Sequence, residues 1–297
     1  MQVVVGFYPL EFLVQRIGGD LVEVSTLAQP GAHAHDLELA PQQVQEVAEA
    51  DLVLFMSDFQ PAVDDAVAQN AADTSLDVAS VTELAEGYEE LDDEPSAHDD
   101  EHSDDDHSDD EVEHSDDEGD DHSDDGSDLD PHVWLDPTKC AELAAAIGER
   151  MAELDADNGD TYTDNAEALG EELRALDEEY QTTLAECART EIVTTHNAFG
   201  YLAARYDLEQ VGIAGLSPDA EPSPQRLDEI REFAEDNGIT TIFYEETVSP
   251  EYAETIAEEV GASTQVLTPI ETAGDGEDYM SLMRSNLATL QEALDCT

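Results

Sequence analysis

The chain of 297 residues is long enough for two ordinary domains, and its 76 acidic residues against nine basic ones give a formal net charge of −67. Segment 89–130 holds 24 of the acidic residues and no basic one, so the other 255 residues, with 52 acidic and nine basic side chains, still carry −43. Nucleic acid and anionic membrane surfaces are therefore disfavoured as partners, because no basic patch can neutralise phosphate. We interpret the charge as halophilic adaptation to a very salty medium, in which molar salt shortens the Debye length to about 3 Å.

Apolar, β-rich runs alternate with helical patterns along the chain. The runs lie at residues 2–7, 21–28, 51–56, 191–195, 208–215, 239–244 and 263–269. A helix is predicted to begin at Pro41, and two later helices are predicted to be closed by Gly238 and Gly261, because proline suits the first turn and glycine the position after the last. The alternation predicts an α/β fold with mostly parallel sheets. It occurs twice, once on each side of the middle of the chain.

Two unlike segments occupy that middle. Residues 89–130 are nearly free of apolar side chains and are predicted to be disordered, since they cannot bury enough surface to offset the entropy of ordering. From about 160 to 185 an apolar stripe recurs at helical spacing and consists of Ala168, Leu169, Leu173, Leu176, Tyr180 and Leu184. A 26-residue helix would reach about 39 Å, enough to join two lobes as a spine. We predict an N-terminal lobe at 1–138, a linker region with the spine helix at 139–187, and a C-terminal lobe at 188–297.

The cysteines and the apolar runs exclude two classes of feature. Cys140, Cys187 and Cys296 lack any CxxC spacing, which argues against a thiolate zinc site. Their number is compatible with one disulfide and one spare thiol. No run of about 18 apolar residues occurs, so no transmembrane helix is predicted. The first residues form a strand-like run rather than a signal segment.

Four of the nine histidines lie outside the acidic segment: His33, His35, His132 and His196. His196 directly follows one predicted strand, and His33 and His35 follow another. Glu245 follows a strand in the second half. Open α/β sheets bind ligands beyond the carboxyl ends of their strands, so these side chains are candidates. Three imidazoles suit zinc and leave a fourth position for water or a carboxylate. Their spacing matches no local metal motif, however, and a single histidine is more often a hydrogen-bonded or solvent-facing ring.

A resemblance to a known family connects these histidines. Six segments, in chain order, resemble the substrate-binding proteins of bacterial and archaeal zinc and manganese ABC importers. They are QPGAHAHDLELAPQQVQEVAEADLVLFM, DPHVWLDP, IVTTHNAFGYLAARY, SPDAEPSPQRLDEI, IFYEETVSPEYAETIAEEVGA and DYMSLMRSNLATLQEAL. The resemblance covers nearly the whole chain except the acidic segment, which lies where zinc-type members often carry a His-rich loop. It implies two α/β lobes joined by one long helix, with a metal in the cleft between them.

The same resemblance implies a function and partners. A protein of this kind captures a metal ion outside the cytoplasm and delivers it to a membrane permease with its ATPase, without catalysing a reaction. We expect a monomer, anchored to the membrane through a leader that is absent from this sequence. Three alternatives stay open: a manganese-binding member of the same class, a hydrolase with a three-histidine zinc site, and a metal-buffering or adhesion protein in which the acidic segment is the working part.

The resemblance also implies the ligands. His35 of GAHAHD, His132 of DPHVWLDP and His196 of VTTHNAF match the family's metal-binding positions. Histidine at the third position favours Zn²⁺ over Mn²⁺, because manganese-type members have glutamate there and manganese prefers oxygen. At the fourth position those members have aspartate where this chain has Thr268, so the ligand there is open.

Several other residues receive expected roles. Water, Glu245 or Glu271 could fill the fourth position, and Glu245 is expected rather to orient an imidazole. His33 is expected to be a loop residue, and Trp134 to pack beside the His132 loop. Cys187 and Cys296 match places where relatives carry paired cysteines, which implies a disulfide and leaves Cys140 as a free buried thiol. Weak accessory metal binding is expected of the histidines of the acidic segment, which are His98, His102, His107, His114 and His122.

Overall fold

The computed structural model describes residues 1–28, 34–35, 37–82, 84–85, 129–218, 220–245, 249–274 and 276–297. Within these residues the chain forms two lobes, each built on a four-stranded parallel sheet, and a long helix runs beside both. The predicted fold class is therefore confirmed. No helix in the described ranges is both long enough and apolar enough to span a bilayer.

The first lobe alternates strands and helices. Its elements are β1 (Gln2–Val5), α1 (Tyr8–Gly18), β2 (Glu23–Thr26), α2 (Pro41–Glu49), β3 (Leu52–Phe55), α3 (Pro61–Asn70) and β4 (Ser75–Asp77). The sheet order is β2-β1-β3-β4, and every pairing is parallel. The central strands β1 and β3 are runs of buried Val and Leu, as expected of a parallel sheet covered on both faces. Strand β4 was not predicted, because its three residues include one apolar side chain and show no readable alternation.

The second lobe repeats this plan. Between the lobes lie α4 (Pro137–Leu154) and α5 (Gly159–Leu184); the second lobe contains β5 (Glu191–Thr194), α6 (Gly200–Arg205), β6 (Glu209–Gly212), α7 (Pro224–Asp236), β7 (Thr241–Tyr244), α8 (Glu251–Val260), β8 (Ser263–Val266) and α9 (Tyr279–Ala293). The strand order β6-β5-β7-β8 is the same as that of the first sheet, and again every pairing is parallel. The predicted helix ends are confirmed, since Gly238 and Gly261 follow α7 and α8 with φ of 63° and 75°.

Helix α5 is the predicted spine, 26 residues long. It contacts the first lobe where Asn165 donates a hydrogen bond to the carbonyl of Ile17, and the second where the Tyr180 hydroxyl donates to the carbonyl of Met283 at 2.6 Å. The predicted stripe is wrong at one position, because Ala168 is exposed and Ala166 is buried. From Tyr162 to Leu184 the buried apolar side chains follow one another at steps of three or four residues, and residue 168 lies about 100° around the helix from Leu169.

The disulfide between Cys187 and Cys296 is present, and Cys140 is a free, buried cysteine. The bond joins the chain after α5 to the chain after α9. Backbone hydrogen bonds run beside it, from the amide of Ala188 to the carbonyl of Leu294 and from the amide of Thr297 to the carbonyl of Glu186. The C-terminal helix is thereby fastened to the start of the second lobe.

The predicted disordered segment 89–130 is wrong at its C-terminal end. Asp130 is buried at 4% exposure, and its amide donates to the carbonyl of Ala85 at 3.0 Å. The hydroxyl of Tyr201, from α6 in the other lobe, accepts from the amide of Ala85 and donates to the carbonyl of Asp130. Asp130 is therefore ordered by its backbone hydrogen bond and by Tyr201, although its own side chain is acidic. Residues 86–128 lie outside the described residues.

Candidate metal centre

Four side chains from separate parts of the chain meet between the lobes. His35 follows β2 and precedes α2, while His132 precedes a 3-10 helix at Val133–Leu135. His196 lies just beyond β5, and Glu271 follows β8. Each of the four offers a ligand atom, and these atoms all lie within 4.8 Å of one another. Residues far apart in sequence converge because the carboxyl ends of parallel strands share one edge of each sheet, and those edges face each other.

Three of the separations between ligand atoms have the length of a tetrahedral edge around zinc, and a fourth is slightly longer. The Nε2 atom of His132 lies 3.3 Å from Nε2 of His35 and 3.5 Å from Nε2 of His196. Oε1 of Glu271 lies 3.5 Å from Nε2 of His35 and 3.8 Å from Nε2 of His132. Four ligands at the usual zinc distances of about 2.0–2.2 Å stand about 3.3–3.6 Å apart at the corners of a tetrahedron. The cluster therefore has the size of a zinc site.

Glu271 is poised toward this centre. Its Oε2 accepts a hydrogen bond from the amide of Ala34 at 3.3 Å, while the buried Oε1 lacks a hydrogen-bond partner among the described residues. An orphaned carboxylate oxygen is costly inside a protein unless a cation faces it. Thr268, in contrast, is outside the cluster, and its hydroxyl accepts from the amide of Ile270. The carboxylate three residues later in the chain, that of Glu271, belongs to the four-residue cluster instead.

Two further carboxylates lie behind the imidazoles. Oδ1 of Asp130 is 2.8 Å from Nδ1 of His132 and also accepts from the amide of that histidine at 2.9 Å. Oε1 of Glu245 is 2.5 Å from Nδ1 of His196 and accepts from the hydroxyl of Thr195 at 2.6 Å. A carboxylate that binds Nδ1–H fixes the tautomer, turns Nε2 toward the centre and increases its basicity. Glu245 therefore contacts the centre through His196 and is not a member of the four-residue cluster.

Asp130 is the functional residue that the sequence analysis missed. It was assigned to the disordered segment because acidic residues surround it on its N-terminal side. The available signal was its place in DPH, where a carboxylate two residues before a histidine can close a short turn. Gly200 makes room for it, since a Cβ there would lie 2.7 Å from Oδ2 of Asp130.

His35 is held by contacts around its own loop. The buried amide group of Gln60 donates to the carbonyl of Ala34 at 2.9 Å, while Glu271 accepts from the amide of the same residue. The ring of Phe59 stands edge-on to the imidazole of His35, with 4.7 Å between ring centroids. The first histidine is thus placed by groups on both sides of the adjoining peptide. His33, His98, His102, His107, His114 and His122 lie outside the described residues.

Burial and neighbouring charges move the protonation equilibria in opposite directions. Burial opposes the charged form of His132, but the hydrogen bond to Asp130 and the nearby carboxylate of Glu271 outweigh it and raise its pKa to about 9. Burial lowers the pKa of His35, against the opposing effect of Glu271. Burial alone would raise the pKa of Glu271, yet His132 and His35 hold it well below its ordinary value. When no metal is bound, both shifts favour a protonated His132 beside an ionised Glu271.

A family model described as zinc-uptake complex component A, periplasmic (ZnuA), matches residues 3–293. The chain belongs to the ZnuA family. Among curated relatives, the zinc-binding lipoprotein AdcA of Streptococcus pneumoniae TIGR4 is 32% identical over 304 residues, covering 99% of this chain and 56% of its own length. The high-affinity zinc uptake system protein ZnuA of Bacillus subtilis is 33% identical over 303 residues, covering 99% and 88%. The chain thus spans little more than half of the AdcA relatives.

Solved structures of ZnuA-like proteins share the fold over the full chain. The laminin-binding protein Lmb of Streptococcus agalactiae, described as a bifunctional protein with adhesin and metal-transporting activity, gives a TM-score of 0.81 at 30% identity, with 99% of both chains covered. The Zn(II)-bound ZnuA-like domain of Streptococcus pneumoniae AdcA gives 0.76 at 29% identity, again with 99% of both chains covered. The two-lobed architecture of this chain is therefore that of its family.

Proposed function

We propose that the chain is the zinc-capturing, substrate-binding component of an ABC importer, and that it holds one Zn²⁺ with His35, His132, His196 and Glu271. The observation that carries the proposal is the set of four ligand atoms within 4.8 Å of one another. Three of their separations, at 3.3–3.5 Å, have the length expected between ligands of one tetrahedral zinc. Membership of the ZnuA family supports the same ion. Zinc is the cargo of the protein, and no reaction is catalysed on it.

The ligand chemistry favours Zn²⁺ over Mn²⁺. Three imidazole nitrogens and one carboxylate make a borderline-soft, nitrogen-rich set, whereas Mn²⁺ prefers oxygen donors and higher coordination numbers. Asp130 and Glu245 add basicity to two of the imidazoles through Nδ1. A manganese-binding member of the same class stays the alternative. It predicts tighter binding of Mn²⁺ than of Zn²⁺ in direct competition.

The origin of the ligands accounts for capture and release. His35 and His132 come from the first half of the chain, while His196 and Glu271 come from the second. Separation of the lobes would divide the set into two pairs, and two ligands hold zinc far more weakly than four. We propose that a permease with its ATPase receives the ion when the lobes part. The protein acts as a monomer in this scheme, because one chain supplies all four ligands.

We place this step outside the cytoplasm. The family description carries the word periplasmic, and a curated relative is called a lipoprotein. The Cys187–Cys296 disulfide supports the location, because such bonds persist in oxidising compartments. Anchoring to the membrane through a leader, the division into lobes at 138 and 187, and the halophilic character also remain proposals.

Metal analysis of the protein, purified without chelator, tests the proposal. We expect one tightly bound zinc per chain. Removal of any one of the four proposed ligands should weaken zinc binding by at least about 10-fold. The variants are His35→Ala, His132→Ala, His196→Ala and Glu271→Ala. His33→Ala is the matched control, because it removes an imidazole two positions from His35 and should keep full affinity. Full affinity in a ligand variant would remove that residue from the site, and esterase turnover by the zinc-loaded protein would favour the hydrolase alternative.

A further inference from the structure

The chain that leads to Glu271 adopts an unfavourable backbone conformation. Ile270, the residue before the carboxylate, has φ of 60°, in the left-handed region. A β-branched side chain rarely adopts this region, because its Cβ substituents crowd the neighbouring peptide groups. Ile270 is also fully buried. Neighbouring residues must therefore hold this turn in place. Without them the backbone at Ile270 would relax and move Glu271 away from the three histidines.

The second lobe holds the first part of this turn. The side-chain oxygen of Asn286, on α9, accepts from the amide of Thr268 at 3.0 Å, and its NH₂ group donates to the carbonyl of the same residue at 2.7 Å. The hydroxyl of Thr268 then accepts from the amide of Ile270 at 3.1 Å. These contacts fix the chain up to Thr268 and the amide of Ile270, all from one side of the cleft.

The carbonyl of that same Pro269–Ile270 peptide is held from the other side of the cleft. The indole N–H of Trp134 donates to the carbonyl of Pro269 at 2.7 Å. Trp134 is 1% exposed and lies two residues after His132, with 5.3 Å between the centroids of the two rings. Its own carbonyl accepts from the hydroxyl of Tyr279 at 2.6 Å. One buried side chain thus ties the turn that carries His132 to the turn that carries Glu271.

We infer that Trp134 is a positioning residue of the metal centre, which keeps Glu271 in place by fastening the strained turn at Pro269–Ile270. This inference rests on the proposed zinc site. Without the indole bond, Ile270 relaxes and Glu271 spends less time at the fourth corner. The apparent affinity falls by the same factor as the population of the competent state. The loss of zinc affinity cannot exceed the loss that removal of the Glu271 carboxylate itself would cause.

Trp134→Phe removes the N–H donor and keeps an aromatic ring. We expect about a 10-fold loss of zinc affinity, measured by chelator competition, because a buried carbonyl is left without its donor when Glu271 is in place. The loss should be smaller than that of Glu271→Gln. In a Glu271→Gln background, Trp134→Phe should cause no further loss. Equal, additive losses in both backgrounds would show a general packing role and overturn the inference.

Tyr180→Phe is the matched control. It also removes a buried aromatic donor to a main-chain carbonyl, at Met283 on α9, but it does not touch a ligand turn. We expect it to lower stability and to leave zinc affinity unchanged. Cobalt(II) gives a second comparison, since its visible spectrum reports the number and type of ligands. The spectrum of Trp134→Phe should shift toward that of Glu271→Gln, and a spectrum identical to the wild type would contradict the inference.

One measurement needs no variant. Trp134 is the sole tryptophan, so the labelled protein has one indole N–H signal. Coupling is reciprocal: if the bond strengthens zinc binding about 10-fold, zinc must strengthen the bond by the same factor. Hydrogen exchange of this N–H should slow about 10-fold on zinc loading, and an unchanged rate would refute the inference. Absence of tight zinc binding by the wild-type protein would instead refute the proposed function.

Discussion

Asp130→Asn separates two effects of the carboxylate behind His132. Asp130 accepts from Nδ1 and from the amide of this histidine at 2.8 and 2.9 Å, so the amide side chain keeps the shape and removes the charge. The charge increases the basicity of Nε2 toward zinc. It also stabilises the proton that competes with zinc, which contributes to the pKa of about 9 for His132. The two effects act in opposite directions on the measured affinity.

The size of each effect follows from the site. Loss of an orienting carboxylate typically weakens metal binding by about 10–100-fold. At pH 7, a pKa of about 9 leaves His132 neutral in about one molecule in a hundred, which weakens wild-type binding about 100-fold. In the variant the pKa falls toward its ordinary value of 6.5, and most of this competition disappears. The variant should therefore bind nearly as well as the wild type at pH 7 and about 10–100-fold less tightly at pH 9.

The sign of the pH dependence is fixed by the raised pKa. The proton on His132 must leave before zinc binds, so wild-type affinity should rise about 10-fold per pH unit from pH 7 and level off near pH 9. Calorimetry in buffers of different ionisation enthalpy should give about one proton released per zinc at pH 7 for the wild type, and fewer for the variant. A variant deficit that is the same at pH 7 and pH 9 would refute the reasoning.

Three further predictions concern the rest of the chain. With −43 outside segment 89–130, the thermal midpoint should rise between about 0.1 M and 2 M KCl as repulsion is screened, and an equal midpoint would contradict halophilic adaptation. Replacing Cys187 and Cys296 by serine should lower the free energy of unfolding by about 4–5 kcal/mol on the loop-entropy model, because the bond closes a loop with a sequence separation of 109, and denaturant titration measures it. Deleting 93–127 should leave one tight zinc per chain and abolish weaker binding in calorimetry, whereas loss of the tight site in a folded protein would place ligands in the deleted segment.

Local patterns were sufficient to predict the repeated α/β plan and the long helix. Central strands such as β1 and β3 are continuous apolar runs, and helix ends such as Gly261 obey backbone sterics, so both can be read without knowledge of contacts. Strand β4 could not be predicted, since its three residues gain strand geometry from pairing with β3. The Ala168 error has the same origin, because only packing decides which side of a helix faces the core.

The candidate site divides in the same way. The sequence by itself determined that His35, His132 and His196 follow strands or a rigid proline turn, and the family resemblance predicted that they are ligands. Tertiary structure gave Glu245 and Glu271 different places, since the first lies against Nδ1 of His196 and the second against Nε2 of His35. It also decided the role of Asp130, whose acidic neighbours predicted disorder. Distances between ligand atoms depend on how two sheets face each other across a cleft, and no local pattern of residues contains that information.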